Sequence, residues 1–476
     1  MTTDLRTPIA VDLDGSLIHT DLLLESFLLL IKRNPLYLLM LPLWLLGGKA
    51  RLKAEIASRV QLNAAALPYT HALVDWLKAQ KAQGHPLWLC TASDHRLAQA
   101  VADHLGLFDG VIASDGALNV SGANKARVLI ERFGDKGFDY CGNHSVDLAV
   151  WQHARAAIVV NGGADLQAKA RALTQVTAQF DAPGGQAKAV LKALRVHQWA
   201  KNALIFVPVA AAHKLDMVTL GSALLAFVAF SLCASSVYLL NDMLDLEADR
   251  QHHSKCKRPF ASGQLSVLFG MAAAPLLLVG AFGLAAALLP LKFVGVLAVY
   301  YIATLAYSFL LKRLVMIDVL ALAGLYTIRI VAGAAATAIP LSFWLLMFAI
   351  FIFLSLAMVK RYAELYAMRQ QGKLKAQGRG YQVEDLHLLQ SMGSASGYIS
   401  ILVLALYVNS PDIAVLYKHA KVAWLLVPIM LYWISRIWMQ TYRGHMDDDP
   451  LVFALKDRIS LLTGAAAALV LVLAAL

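Results

Sequence analysis

The stretch GSALLAFVAFSLCASSVYLL, residues 221–240, is followed directly by NDMLDLEAD, residues 241–249. The first part is mostly apolar and has the length of about 20 residues that a helix needs to cross a bilayer. The second part carries one amide, that of Asn241, and four carboxylates, among which Asp242, Asp245 and Asp249 are three or four residues apart. Side chains three or four residues apart meet on one face of a helix. The stretch therefore predicts a membrane helix that ends in a cluster of acidic groups.

The apolar pattern recurs throughout the C-terminal part of the chain. The 476 residues are 59% hydrophobic and 15% charged, with a mean hydropathy of +0.60, whereas a soluble domain is about half apolar and a quarter charged. We count nine apolar segments, of which the first is short: 200–213, 221–240, 266–289, 292–310, 316–338, 341–359, 393–409, 421–438 and 459–476. They predict an all-α polytopic domain of about nine transmembrane helices.

Basic residues are distributed unevenly between the loops. The loops after even-numbered segments hold sixteen Lys and Arg residues, whereas the opposite loops hold four. The positive-inside rule therefore places the even loops, the N-terminal domain and the active sites on the cytoplasmic side of a bacterial-type inner membrane. The polar N-terminus has no signal-peptide core, which agrees with a cytoplasmic first domain.

The formal net charge of +11 suits contact with membrane lipid and with phosphorylated substrates. We expect no nucleic-acid partner, because no basic stretch is interleaved with aromatic residues that could stack on bases.

The first 180 residues show a different pattern, in which short apolar runs alternate with helical stretches. Five runs have the character of buried strands: Pro8–Asp12, Pro86–Cys90, Gly110–Ala113, Phe138–Cys141 and Ala156–Val160. This alternation predicts an α/β domain in which a parallel sheet carries helices on both faces. We therefore divide the chain into an α/β domain at 1–180, a linker at 181–190 and a membrane domain at 191–476.

Residues 26–49 fit neither part cleanly. The stretch is apolar but is interrupted by Lys32, Arg33 and two prolines, so that each piece is too short to span a bilayer. It predicts either an apolar helical hairpin at the membrane interface or a buried pair of cap helices of the α/β domain.

The acidic run at 241–249 has the features of a magnesium site. Neighbouring carboxylates repel one another unless a cation lies between them, and oxygen ligands select a hard metal such as Mg²⁺. Four basic residues follow in the same loop: Arg250, Lys255, Lys257 and Arg258. Acids followed by bases suit a complex of metal and diphosphate. The simpler interpretation is a solvated charged loop, which the regular spacing makes less attractive.

A second group of polar residues occurs around the loop after the fourth apolar segment. Tyr307, Lys312 and Asp318 flank this turn, and Arg329 lies deeper in the next segment. Ionisable residues at such positions are functional candidates. Alternatively, Lys312 extends toward the lipid headgroups and Asp318 caps a helix.

Residues 190–476 resemble the UbiA superfamily of membrane prenyltransferases, through the N-D-x-x-D-x-x-x-D run and the helix count. More narrowly, they resemble its decaprenyl-phosphate phosphoribosyltransferase branch. Six blocks carry this likeness: Arg195–Asn202, Arg258-Pro259-x-x-x-Gly263, Tyr307–Asp318, Ala338–Ser342, Lys360–Leu365 and Asp449–Arg458. The second acidic pair of ordinary members is incomplete, because Asp318 has Leu at position 322 instead of a partner Asp. A less negative pocket would suit phosphoribosyl diphosphate, which bears an additional phosphate.

The resemblance implies Mg²⁺-dependent transfer of phosphoribosyl from phosphoribosyl diphosphate to a polyprenyl phosphate. It assigns the metal to Asp242, Asp245 and Asp249, and catalysis to these three with Lys312 and Asp318. The implied substrate-binding residues are Lys201, Asn202, Asn241, Lys255, Lys257, Arg258, Tyr307, Arg329, Lys360, Arg361, Asp457 and Arg458. The alternative within the same family is transfer of a prenyl group from its diphosphate to an aromatic or other small acceptor. A transporter or lipid scaffold is a third possibility, which would leave the acidic run unexplained.

The N-terminal domain resembles haloacid-dehalogenase (HAD) phosphatases. Asp12-Leu-Asp14-Gly15-Ser16 matches the D-x-D-G-[TS] motif, in which the first Asp is the nucleophile and the second the general acid. Thr91 and Lys125 match the phosphate-binding hydroxyl and lysine. Asn143 and Asp147 occupy the fourth motif, where Asn143 replaces a metal-binding Asp.

The resemblance therefore assigns Mg²⁺ to Asp12, Asp14, Asn143 and Asp147. Two hypotheses follow for the function of this domain. It is either an active phosphatase, which removes the 5-phosphate of the neighbouring domain's product, or a degenerate regulatory module.

Overall fold

The structure is a computed structural model that describes residues 6–476 apart from 183, 373–378 and 447–448. Lys373 and Lys375, counted in the loop comparison, and Pro183 of the predicted linker lie outside the described residues, as do residues 1–5 of the polar N-terminus. The chain forms two compact units. The first comprises the residues up to Arg195 together with Tyr238–Pro275, and the second comprises Val196–Val237 with Leu276–Leu476. The acidic run thus groups with the N-terminal domain.

A six-stranded parallel sheet forms the centre of the first unit. Its strands are β1 Ile9–Val11, β2 Leu87–Asp94, β3 Gly110–Ser114, β4 Asp139–Gly142, β5 Ala156–Val160 and β6 Gln175–Phe180. Their order in the sheet is β3-β2-β1-β4-β5-β6, and in β1 Ile9 pairs with Leu87 on one side and Asp139 on the other. The five predicted strands are confirmed. The sixth was not predicted, because Gln175–Phe180 is a partly exposed strand at the sheet edge with alternating polar residues.

Helices cover both faces of this sheet, as the alternation of elements predicted. Along β1, Ile9 and Val11 belong to one buried cluster and Ala10 to another. The α-helices are Leu22–Arg33, Leu41–Leu46, Lys49–Ala57, His71–Ala82, His95–Leu105, Ala123–Phe133, Leu148–Trp151, Ala164–Leu173 and Gln186–Ala193. The first of these, helix α1 (Leu22–Arg33), begins with Asp21 as its N-cap, whose carboxylate accepts the Leu24 N–H.

The apolar stretch at 26–49 forms the second half of α1, a 3₁₀ helix at Pro35–Leu39 and the short helix Leu41–Leu46. Its inner side chains, Leu30 and Trp44, pack against Ile56 in a small buried cluster. Its outer side chains are exposed, and they are Leu36, Leu38, Leu39, Met40, Leu43, Leu45 and Leu46. The segment therefore has one face packed on the protein and one uncovered apolar face.

Eight helices within the described residues are long and apolar enough to cross a membrane. They are Met217–Leu244, Val267–Leu288, Leu291–Phe309, Ile317–Thr337, Phe343–Gln370, Val383–Val408, Ala420–Tyr442 and Arg458–Ala475. The predicted segment 200–213 is not among them, because it forms a 3₁₀ helix at Val196–Phe206 and a short helix at Val207–Ala211. Pro208 lies at the start of this short helix, and proline is unfavourable inside a longer one. The protein is a multi-pass membrane protein with an α/β domain at its N-terminus.

Candidate functional sites

The first candidate site lies at the carboxyl ends of the central strands. Asp12 directly follows β1, Thr91 lies within β2, and Asn143 directly follows β4. Strand β1 is flanked by β2 and β4, so the strand order reverses beside it. Ligands of open α/β sheets bind at such a switch point, outside the carboxyl ends of the strands. The fold therefore places the predicted motif residues where this architecture builds a site.

A buried chain of hydrogen bonds connects four side chains of this site. The Lys125 ammonium donates to Asp12 Oδ1 at 2.6 Å and to the Tyr140 hydroxyl at 2.8 Å. The Tyr140 hydroxyl in turn donates to Asp147 Oδ1 at 3.0 Å. Tyr140 was not predicted, although it lies only two residues before the Gly142-Asn143 motif. Its role is visible only when β4 is placed beside β1.

The charges in this chain stabilise one another. Burial raises the pKa of Asp12 to about 6, against the opposing charge of Lys125. Burial lowers the pKa of Lys125, but the carboxylates of Asp12 and Asp147 outweigh it and raise this pKa above its usual value. At neutral pH the Asp12 carboxylate is therefore ionised in most molecules, as a nucleophile must be, beside a fixed ammonium group.

Asp14 has a different environment from Asp12. Its Oδ2 accepts hydrogen bonds from the hydroxyls of Ser93 at 2.6 Å and Thr91 at 3.4 Å. Its Oδ1 accepts the Leu22 N–H at 2.8 Å. Burial and, after it, the nearby Asp21 carboxylate raise the pKa of Asp14 to about 7, although the Ser93 hydrogen bond opposes this. Two carboxyl groups whose pKa values are raised by different amounts can serve as nucleophile and general acid.

The fourth motif forms a tight loop around Asp147. Asp147 Oδ2 accepts the N–H groups of Asn143 and His144, each at 3.0 Å. The Asn143 side chain lies against Gly15, which has a φ of +78°, and a Cβ at Gly15 would be 2.1 Å from Asn143 Nδ2. Both oxygens of Asp147 are thus engaged by the protein, so this residue anchors the loop.

The acidic run lies at a break between two helices. The membrane helix ends at Leu244, and Asp245 is the N-cap of the next helix, Leu246–Gln251. Asn241 lies in the last turn of the membrane helix, where its carbonyl oxygen accepts the Asp245 N–H at 3.0 Å. The acidic residues therefore lie at a helix end, as predicted, but Asp245 interrupts the helix and the acids are divided between two helices.

Arg258 brings two of the three predicted aspartates together. Its Nη1 lies 3.1 Å from Asp242 Oδ1 and 2.6 Å from Asp249 Oδ2. Arg195 also pairs with Asp242. Burial raises the pKa of Asp249, and Arg258 opposes this effect. Arg195 belongs to a motif block but was not predicted as a site residue, and the structure places its guanidinium in the acidic cluster.

The third aspartate pairs with a residue of the N-terminal domain. The Lys32 ammonium lies 2.9 Å from Asp245 Oδ1 and donates to the Leu244 carbonyl oxygen at 2.8 Å. Lys32 was not predicted as a site residue, because 213 residues separate it from Asp245 in the chain. Lys255 and Lys257, which were predicted to bind phosphate, are exposed.

Mg²⁺ is the metal predicted for both acidic groups, the acidic run and the group around Asp12. Among the described residues, no three His, Cys, Asp or Glu side chains form a cluster that could hold a metal ion. The acidic run nevertheless offers carboxylate oxygens alone, which suit a hard cation, and Arg and Lys side chains now balance their charge. Asp242 and Asp249 share the Arg258 guanidinium, so a cation in its place would contact both carboxylates, whereas Asp245 is paired with Lys32.

The second unit contains the group around Asp318. The Asp318 carboxylate is fully buried and accepts the Tyr307 hydroxyl at 2.8 Å. Arg361 pairs with both Asp318 and Glu364, and Arg379 Nε lies 3.2 Å from Glu364. Position 322 does not supply the second acid of the family's pair. Asp318 instead has Arg361 and Arg379 as neighbours, and Glu364 is the second acid of this group. Lys312 lies half-buried in the 3₁₀ helix Leu311–Arg313.

Asp449 contacts two of the lysines that were predicted to bind substrate. It pairs with Lys201, and Lys360 Nζ lies 3.7 Å from the same carboxylate oxygen. Burial raises the pKa of Asp449, but the two lysines outweigh this and hold it below its usual value. Asp449 belongs to a motif block but was not predicted as a site residue, and its two partners come from other parts of the chain.

An arginine at this depth is expected to face the helix bundle and to pair with an acid or a phosphate; Arg329 is indeed buried, but the partners that the structure describes for it are neutral. Its Nε donates to Asn202 Oδ1 at 2.9 Å, and Asn202 Nδ2 donates to the Ser231 hydroxyl at 2.9 Å. Its guanidinium carbon lies 5.2 Å from the ring centroid of Tyr300, 5.3 Å from Phe230 and 5.6 Å from Tyr326. These contacts suit a cation held by aromatic faces.

Two predicted residues near the C-terminus have simpler surroundings. Asp457 is the N-cap of the last membrane helix and forms a two-pronged ion pair with Arg436, at 2.6 and 3.0 Å. Arg458 is exposed. Asp457 therefore stabilises the N-terminal end of the last membrane helix.

Comparison with known proteins assigns both parts of the chain. The UbiA prenyltransferase family model matches residues 203–462, and the haloacid dehalogenase-like hydrolase model matches residues 9–152. The chain is 37% identical to uncharacterized protein y4nM of Sinorhizobium fredii, over 99% of this chain and 92% of that protein.

Two further likenesses concern the membrane part. Decaprenyl-phosphate phosphoribosyltransferase of Mycolicibacterium smegmatis is 31% identical, over 58% of this chain and 89% of that protein. A solved UbiA homolog from Archaeoglobus fulgidus bound to GPP and Mg²⁺ is 16% identical, with a TM-score of 0.44 over 60% of this chain and 98% of that chain. The family match spans more than half of the sequence and includes seven of the eight apolar helices in full or nearly so. The chain is therefore a membrane enzyme that belongs to the UbiA prenyltransferase family and carries a haloacid dehalogenase-like domain at its N-terminus.

Proposed function

We propose that the protein transfers a phosphoribosyl group from phosphoribosyl diphosphate to a polyprenyl phosphate, at the cytoplasmic face of a bacterial inner membrane. The observation that carries this proposal is the pairing of Arg258 with both Asp242 and Asp249. Acids and guanidinium groups in direct contact can exchange partners when a metal-bound diphosphate arrives. The likeness to decaprenyl-phosphate phosphoribosyltransferases supports the choice of donor and acceptor.

The reaction requires little acid–base chemistry. The bond between the sugar's anomeric carbon and the diphosphate breaks, and the diphosphate leaves with the electron pair. A phosphate oxygen of the lipid, already an anion, forms the new bond to that carbon. Mg²⁺ bound through Asp242, Asp245 and Asp249 would supply Lewis-acid neutralisation of the diphosphate.

The basic residues then have distinct tasks. Arg258 and Arg195 turn from the aspartates toward the phosphate oxygens, and the exposed Lys255 and Lys257 attract the anionic donor. Asn241 orients the diphosphate by hydrogen bonding. The remaining proposed substrate-binding and catalytic residues of the membrane part are Lys201, Asn202, Tyr307, Lys312, Asp318, Arg329, Lys360, Arg361, Asp457 and Arg458.

We further propose that the N-terminal domain hydrolyses phosphate monoesters, and that the 5-phosphate of the transferase product is its substrate. The separate environments of Asp12 and Asp14 support this proposal. Asp12 would attack phosphorus and form an aspartyl-phosphate, while Asp14 gives its proton to the departing alkoxide oxygen. Water would then attack phosphorus while the Asp14 carboxylate takes a proton from it, the bond between Asp12 and phosphorus would break, and inorganic phosphate would leave. Lys125 and the hydroxyls of Thr91 and Ser93 would hold the phosphate oxygens.

A two-step assay tests both proposals. Purified protein receives radiolabelled phosphoribosyl diphosphate, polyprenyl phosphate and Mg²⁺, and the lipid product is examined by mass spectrometry. We expect a labelled polyprenyl-phosphate pentose without its 5-phosphate, and retention of that phosphate in the Asp12→Asn variant. Absence of any labelled lipid would exclude the phosphoribosyl transfer. Labelling from a prenyl diphosphate and an aromatic acceptor would instead support the prenyltransferase alternative.

A further inference from the structure

The acidic run is held in place by the N-terminal domain. Arg250 directly follows Asp249, and its guanidinium forms a two-pronged ion pair with Glu25 of helix α1, at 2.5 and 2.8 Å. Only 7% of the Arg250 side chain and 4% of the Glu25 side chain are exposed. The pair is therefore nearly excluded from solvent, and 225 residues of chain separate its members.

Helix α1 connects the two candidate sites. Its first N–H group, that of Leu22, donates to Asp14 of the phosphatase-like site. Its last turn carries Lys32, which contacts Asp245 of the acidic run. The helix has 12 residues, which corresponds to a length of about 18 Å. One short rigid element thus contacts a proposed catalytic residue at each end.

Two further contacts fix the same region. The Thr20 hydroxyl, in the loop between Asp14 and α1, donates to Glu25 at 2.5 Å. Gly263, in the loop after the acidic run, has a φ of +75°, and a Cβ there would lie 2.4 Å from His19 Cβ. Arg250 Nε also donates to the Ala261 carbonyl oxygen at 3.0 Å. The segment from Arg250 to Gly263 is therefore folded around a guanidinium whose acidic partner belongs to the N-terminal domain.

We infer that Glu25 and Lys32 are positioning residues of the transferase site, contributed by the N-terminal domain, an inference that rests on the proposed transferase function. Glu25 fixes Arg250 and thereby the helix that carries Asp249. Lys32 fixes the carboxylate of Asp245. Loss of one member of a buried ion pair leaves an uncompensated charge, which is strongly destabilising. The N-terminal domain is then required for transfer whether or not it hydrolyses phosphate.

A cysteine of the chain reports on this region without any substrate. Cys256 lies within the segment and is half-exposed, whereas Cys90, Cys141 and Cys233 are buried. The Cys256 thiol donates to the His253 carbonyl oxygen at 3.3 Å, so a change in the rate at which a water-soluble maleimide labels Cys256 in the purified full-length protein reports a change in the conformation of the segment. This readout does not depend on bound metal or on turnover.

Four variants separate a positioning role from a general loss of structure. Glu25→Gln should raise the Cys256 labelling rate by about tenfold or more and reduce lipid transfer by a similar factor. Thr20→Val keeps the carboxylate and removes one hydrogen bond, so a rise of about threefold is expected. The double variant Glu25→Gln with Arg250→Gln should label no faster than Glu25→Gln alone, because the two sites act as one unit. Lys169→Gln, which breaks the exposed pair with Asp165, should leave both readouts unchanged.

The labelling result decides the inference independently of the transferase assay. Labelling of Cys256 at the wild-type rate in both Glu25→Gln and Thr20→Val would overturn it. Faster labelling in Glu25→Gln with an unchanged transfer rate would also overturn it. The contact between Glu25 and Arg250 would then hold the segment but would not affect catalysis. Absence of transfer in the wild type, together with fast labelling in the variants, would overturn the proposed function and leave the structural link standing.

Discussion

The Lys32 ammonium lies 2.9 Å from the Asp245 carboxylate and also donates to the carbonyl oxygen of Leu244, the last residue of a membrane helix. A cation from the N-terminal domain thus holds both the end of that helix and the residue that caps the next one. Side chains that contact metal-binding carboxylates from outside determine how those carboxylates are oriented. Lys32 has this relationship to the proposed transferase site.

Lys32→Met should reduce lipid transfer by about tenfold or more at saturating Mg²⁺, because Asp245 loses the partner that orients it. Lys32→Arg keeps a charged donor and should retain more activity than Lys32→Met. The measurement is the initial rate of labelled lipid formation over a series of Mg²⁺ concentrations. Lys49→Met removes an exposed lysine of the same domain and serves as the matched control. Equal rates in Lys32→Met and Lys49→Met would show that the contact is incidental.

Arg258→Gln should raise the KM for phosphoribosyl diphosphate more strongly than Lys257→Gln. Arg258 bridges Asp242 and Asp249, so its removal both weakens phosphate binding and leaves two neighbouring carboxylates to repel each other. Lys257 is exposed, and a solvated charge contributes less. Comparison of KM and kcat for the two variants tests this order. A larger effect in Lys257→Gln would place the donor at the outer loop rather than at the acidic cluster.

Local sequence was sufficient for part of this picture. The apolar segments, five strands and the positions of Asp12, Asp14 and Lys125 follow from patterns within short stretches. The partners of Asp245 and Arg250 could not be predicted in the same way, because Lys32 and Glu25 lie more than 200 residues earlier and carry no motif. Ser93 was missed because β2 extends to Asp94, beyond the apolar run on which its prediction was based. Charged side chains that pair across a fold leave no periodic signal in the sequence.

Asp14→Asn should stabilise the N-terminal domain, and more so at high pH. The pKa of Asp14 is about 7 in the folded protein, against an ordinary value of 3.8. Between these values the folded protein retains a proton that the unfolded chain releases, so stability falls as pH rises through this window and the loss is complete above about pH 7. Asparagine does not titrate, and the difference between variant and wild type should therefore grow from about pH 5 to about pH 8.

The buried thiols of Cys90 and Cys141 in strands β2 and β4 provide the measurement. Their labelling on heating, followed by mass spectrometry in the presence of a chelator, reports unfolding of the sheet itself. A difference between Asp14→Asn and wild type that is the same at both pH values would contradict a raised pKa at this position.

The exposed apolar face of residues 35–46 leads to a final prediction, that this segment inserts into the membrane interface. Leu36, Leu39 and Leu46 are 68%, 73% and 85% exposed, and such a cluster is costly in water but favourable at the boundary of headgroups and acyl chains. Helix α1 leads into this segment, and Lys32 at its end contacts Leu244, the last residue of a predicted membrane span, where we expect that helix to leave the bilayer. A fluorophore attached at Leu39→Cys in nanodiscs should be quenched by lipids that carry a spin label near the headgroup. The same fluorophore at Lys169→Cys, in an exposed helix of the same domain, should be quenched much less. Equal quenching at the two positions would return the segment to the alternative interpretation, a cap of the α/β domain that faces water.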